Sequence, residues 1–171
     1  MIKADDLIFC VIRPALQSIA MAAPKAIALV AGTCAAESLG GDYLIQSSFV
    51  PGHDIRAFTG GLGIFQMQHD DHDDIVKNYF PRDPTTAGKM VAAFGSFTAE
   101  RLVTDLLYAA AFCRIHYLRN DEPLPDYNNV SALASYWKRY YNSSHGAGDD
   151  AHFINNYALV APAVNKLIAM G

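Results

Sequence analysis

The stretch "IALVAGTCAAESLGGDY", residues 27–43, runs apolar or small from Ile27 to Ala36, delivers one carboxylate at Glu37, and then meets the pair Gly40-Gly41. Pro24 suits the first position of a helix, and the glycine pair suits its end. Helical spacing puts Ile27, Val30, Cys34 and Glu37 in one stripe, so the acid falls on the buried side of the last turn. Two effects there oppose its ionisation. Burial beside Val30 and Cys34 disfavours the charged form, and the C-terminal end of a helix carries negative partial charge. Both raise the pKa, which a general acid working near neutrality requires. Read alone, the segment also allows a Glu37 that turns to solvent or pairs with Arg56 or Lys25.

The rest of the chain sets the frame. Its 171 residues suit one domain with one core, with an N-terminal helix over 1–23 leading into a main body over 24–171. Hydrophobic residues make up 51% and charged residues 18%, a balance that excludes disorder. The net charge is −4 and basic residues do not cluster, so neither nucleic acid nor an acidic membrane surface is an expected partner. Cys10, Cys34 and Cys113 are an odd number with no close pair. They fit small buried residues better than a disulfide framework or a zinc site. Asp5 and Asp6 stand where a secretory signal would be basic. Gln17, Pro24 and Lys25 interrupt the most apolar span, Ala15–Ala36, so no membrane insertion is expected.

Periodicity predicts helices over about 5–21, kinked or broken at Pro14, and from Pro24 to the glycine pair. Residues 42–68 are rich in glycine and aromatics and lack a helical period. They read as loop with a short, irregular sheet or hairpin. A short helix is expected from Asp70 or Asp71 to about Asn78, and "PRDPTTAG" reads as a loop. One long helix follows a cap near Ser96 or Thr98, with Leu102, Leu106, Ala109, Cys113 and Tyr117 facing inward. Further helices are expected over 131–141 and from Asp149 or Asp150, the last bent or restarted at Pro162. The fold class is mainly α, with a small β or irregular insert after the second helix.

Three short motifs occur in order: "AAES" at 35–38, "GIFQM" at 63–67 and "YYNSS" at 140–144. With the long apolar helix between the last two and the aromatic "AHFINNY" after them, the chain resembles the lysozyme-like superfamily. Its lytic transglycosylase branch is the most similar part. The likeness spans roughly residues 24–160 and implies a lysozyme-like α+β domain. The layout of "GTCAAES", "GLGIFQM", "DDIV" and "YWKRYYN" also resembles short uncharacterised proteins of tailed bacteriophages.

The resemblance implies cleavage of the β-1,4 bond between N-acetylmuramic acid and N-acetylglucosamine in peptidoglycan, without a cofactor. Glu37 would be the general acid/base. Tyr141 would hydrogen-bond and orient its carboxyl. Ser38 would contact the sugar beside it. Gly63, Phe65, Gln66 and Met67 would line the cleft, with Gln66 bonding the glycan, and Asn142 would shape the turn. Partners would be glycan strands and other virion proteins. The place would be a phage virion or an infected-cell cytoplasm, acting on the bacterial wall. The chain departs from the family pattern at Ile64-Phe65, at Ser143-Ser144, and in the "LGG" that follows Glu37-Ser38.

A second acid able to activate water has candidates in Asp42, Asp54 and Asp70, none in a matching motif. Without one, Glu37 would pass the proton alone and the sugar's own 6-hydroxyl would close a 1,6-anhydro ring. Hydrolysis, as in goose-type lysozymes, is the other outcome. A virion structural or wall-binding protein that keeps the fold without turnover is the alternative function. "HDDHDD", 69–74, sets His69 and His72 at helical spacing, as a metal-dependent hydrolase would need. Acids favoured at a helix N-terminus explain the run better. Trp137 reads as core, and Lys138 and Arg139 as groups that could meet wall-peptide carboxylates.

Overall fold

The computed structural model describes residues 1–142 and 148–170. Ser143 and Ser144, where the chain departs from the family's turn, lie outside them. The second helix, α2 (Pro24–Ser38), organises everything else. It is buried on every side from Ala26 to Ala36, so it is a central helix and not an amphipathic one with a single stripe. Around it pack α1 (residues 4–18), α6 (Leu106–Leu118), α7 (residues 130–142), α8 (Asp150–Tyr157) and α9 (Ala161–Ala169). The contact with α8 is the most extensive. It depends on Gly32, because a Cβ there would lie 2.3 Å from Phe153 Cζ.

Local chemistry explains most boundaries. In α1 the turns over Leu7–Ile12 have the wider π winding and lead directly into Pro14, whose missing N–H interrupts the regular ladder. The helix expected after "MQ" forms as α3 (residues 69–79), π-wound over Ile75–Tyr79. The long helix expected after Ser96 is instead two: α5 (Arg101–Thr104) and α6. Asp105 divides them. Its backbone leaves the helical region, its Oδ1 accepts from the Tyr108 N–H at 3.0 Å, and its Oδ2 accepts from Arg101 at 2.8 Å. Part of the expected loop "PRDPTTAG" is helical, as α4 (Pro84–Phe94). Asp83 caps it by accepting from the Thr86 N–H at 3.0 Å, and Pro84 occupies the first turn.

Among the described residues the insert after α2 holds no strand ladder. Two isolated antiparallel bridges, Ile45 with Leu62 and Leu62 with Met67, and a 3-10 turn at Ile55–Ala57 are its only regular features. One cluster of buried side chains runs from Leu7 to Leu167 and joins the N-terminal helix to the main body. No helix among the described residues is long and apolar enough to cross a membrane.

Candidate functional site

The site begins where α2 stops. The glycine pair was expected to end this helix, but Leu39 takes the left-handed position, φ 53°, and Gly40 and Gly41 follow with positive φ. The Leu39 and Gly40 N–H groups return to the Ala35 and Cys34 carbonyls at 3.1 and 3.2 Å. The Glu37 carbonyl accepts from the Tyr43 hydroxyl at 2.6 Å. The helix end is thus satisfied without using the Glu37 side chain.

Ser38 is fully buried. Its hydroxyl donates to the Ile64 carbonyl at 2.6 Å and accepts from the Gly41 N–H at 3.0 Å. It therefore ties the helix end to the turn at 62–67 and has no surface to offer a sugar, which corrects its expected role. In that turn Leu62 and Met67 exchange backbone hydrogen bonds at 2.9 and 3.1 Å. Gly63 has φ 69° and packs on α5, where a Cβ would lie 2.0 Å from the Leu102 carbonyl oxygen. Its glycine serves backbone packing, not approach of a ligand. Phe65 is also buried and contributes its carbonyl alone. Gln66, at φ 49°, donates from Nε2 to the Gly63 carbonyl at 2.7 Å and lines the groove.

The π-wound end of α7, Lys138–Asn142, supplies the opposing residues. Tyr141 was expected to orient Glu37 directly. Its hydroxyl instead donates to the Phe65 carbonyl at 2.8 Å, so it clamps α7 to the 62–67 turn. Its ring packs 4.8 Å from the His116 ring and 5.3 Å from that of Tyr117. His116 is buried, its pKa pushed down to about 4 by desolvation and then by Arg119, and it stays neutral.

A groove of about 750 Å³ opens between these elements. Glu37, Gln66, Met67, Tyr141 and Asn142 line it, and Ser38, Gly63 and Phe65 do not. The Glu37 pKa is raised to about 7, above all by burial. Three neighbours oppose that rise: the Trp137 indole, which donates to Oε1 at 3.0 Å, His152, and the Asn142 side chain. His152 is itself fixed by donating from Nε2 to the Ala36 carbonyl at 2.9 Å. Sequence reasoning assigned Trp137 to the core. It is core, at 1% exposure, yet its single polar atom reaches the acid. The available signal was position: the only tryptophan of the chain stands four residues before Tyr141, on the same helical face.

Asp71 is the other acid that lines the groove, and sequence reasoning missed it too. Asp42 is held by the Met1 amino group, Asp54 is held by Arg56, and Asp70 is exposed on α3; none of the three lines the groove. His69 and His72 are engaged separately, His69 Nε2 donating to the Ile55 carbonyl at 3.0 Å and His72 Nε2 lying 2.7 Å from the Tyr108 hydroxyl. Among the described residues no group of three or more His, Cys, Asp or Glu is placed to hold a metal ion. The arrangement is suited to proton transfer at a polar, aromatic-walled groove. No family model, no curated protein and no solved structure matches the chain.

Proposed function

We propose that the protein cleaves the β-1,4 bond between N-acetylmuramic acid and N-acetylglucosamine in peptidoglycan, with Glu37 as the general acid. One observation carries the reading. A carboxyl group that keeps its proton to about pH 7 stands in a groove large enough for a sugar chain, and an indole N–H fixes its orientation. Protonated Glu37 gives its proton to the glycosidic oxygen as the C1–O bond breaks. The half-buried rings of Tyr140 and Tyr141 and the amides of Gln66 and Asn142 offer the mixture of flat faces and hydrogen-bonding groups that a glycan uses.

The resemblance to lytic transglycosylases supports the choice of polymer, and the resemblance to phage proteins supports a virion or an infected cell as the setting. The reading needs no cofactor. Turbidity clearing of purified peptidoglycan tests it. The intact protein is expected to clear the suspension, and Glu37→Gln to lose at least about 100-fold in rate, as removal of a general acid does. Binding without clearing by either form would replace the enzyme with a wall-binding protein.

A further inference from the structure

The groove holds a second carboxylate that the family's one-acid scheme does not use. Asp71 sits in the first turn of α3. The Gln68 backbone favours its ionised form, and no ion pair ties it among the described residues. It shares the groove with Glu37. Tyr141 lines the same groove, and both acids act on its hydroxyl electrostatically. Beside Asp71 stands the Arg119 guanidinium, which also lines the groove and is anchored by Asp74 at 2.5 Å.

We infer that Asp71 is the base that activates water in this groove, so that the protein hydrolyses its glycan and does not close an anhydro ring. The inference rests on the glycan-cleaving reading above and decides its product. Glu37 gives its proton to the leaving oxygen, and the C1–O bond breaks. A water oxygen bonds to C1 as Asp71 takes one of its protons. The net change is addition of one water, leaving Glu37 ionised and Asp71 protonated until solvent exchanges both. The two environments suit the two tasks. Burial raises both carboxyls; against it Glu37 has an indole, an imidazole and an amide, whereas Asp71 has the Arg119 guanidinium, which favours the ionised form a base needs while Asp74 and Asp70 oppose it.

Mass spectrometry of the sugars released from purified peptidoglycan tests this directly. Products of the intact protein are expected to end in reducing muramic acid, heavier by one water than the anhydro form. Asp71→Asn is expected to lower the rate at least about 100-fold, with unchanged melting temperature and retained binding to insoluble peptidoglycan. Anhydro ends from the intact protein would overturn the role of Asp71 while leaving cleavage by Glu37 in place. So would an Asp71→Asn variant that hydrolyses at the original rate. Absence of any cleavage by the intact protein would remove the glycan-cleaving reading and this inference together. The product of the intact protein needs no variant to fold, so the first arm stands by itself.

Discussion

The Glu37 carboxyl holds its proton more tightly in the folded chain than in the unfolded one. Its pKa rises from 4.5 to about 7 on folding, a difference worth roughly 3 kcal/mol when the group is ionised. Below pH 4.5 it is protonated in both states and folding bears no penalty. The penalty grows as pH rises from there and is complete above about 7. Glu37→Gln is therefore expected to stabilise the protein at pH 8 by up to roughly 3 kcal/mol, with the gain shrinking at pH 5; urea unfolding of both forms at the two pH values measures it. From the same pKa the proposed cleavage is expected to decline above about pH 7, which a pH–rate profile measures. Glu37 was legible in the sequence because an apolar helix that ends on one acid is unusual. Trp137 was not, because an indole has the same pattern whether or not its N–H has a carboxyl partner. Asp71 was not, because four acids in "HDDHDD" are equivalent until the rotation of α3 selects one for the groove.

Elements were legible where apolar periodicity was strong and illegible where one polar residue governs. The extent of α2 follows from its composition. The break at Asp105 and the start of α4 at Asp83 depend on single side-chain caps, which periodicity does not detect. The turn at 62–67 was recognised by its residues, but its partners were misassigned, because its contacts to α2, α5 and α7 are long-range. Gly63 shows how tightly it is held. A methyl group there meets a backbone carbonyl and must accept a positive φ. Gly63→Ala is expected to destabilise by at least roughly 3 kcal/mol, a fall in melting temperature of about 6–12 °C. Gly88→Ala, where nothing lies within 4 Å, is the control that should not fall.

Across the whole molecule, order is unevenly distributed. α2 and α6 lie in the centre of the helical packing, whereas residues 47–60 are joined mainly by local turns such as Phe49 to Gln46 and Ala57 to Asp54. Hydrogen exchange should separate them: amides of 47–60 exchanging within minutes, and those of Leu29–Ala35 only through global unfolding. Comparable protection of the two would contradict this distribution. The overall class, mainly helical with an irregular insert, was readable because helix-forming runs fill most of the chain. The absence of a strand ladder was not, since glycine-rich aromatic segments suit a bridge as well as a sheet.

The two tethers on the 62–67 turn carry a last consequence. Ser38 grips the Ile64 carbonyl from α2, and Tyr141 grips the Phe65 carbonyl from α7. Neither grip passes through residues 47–60. A peptide bond severed in that segment would leave both edges of the cleft where they are, so a nicked molecule would keep the shape of its groove as long as the fragments stay together.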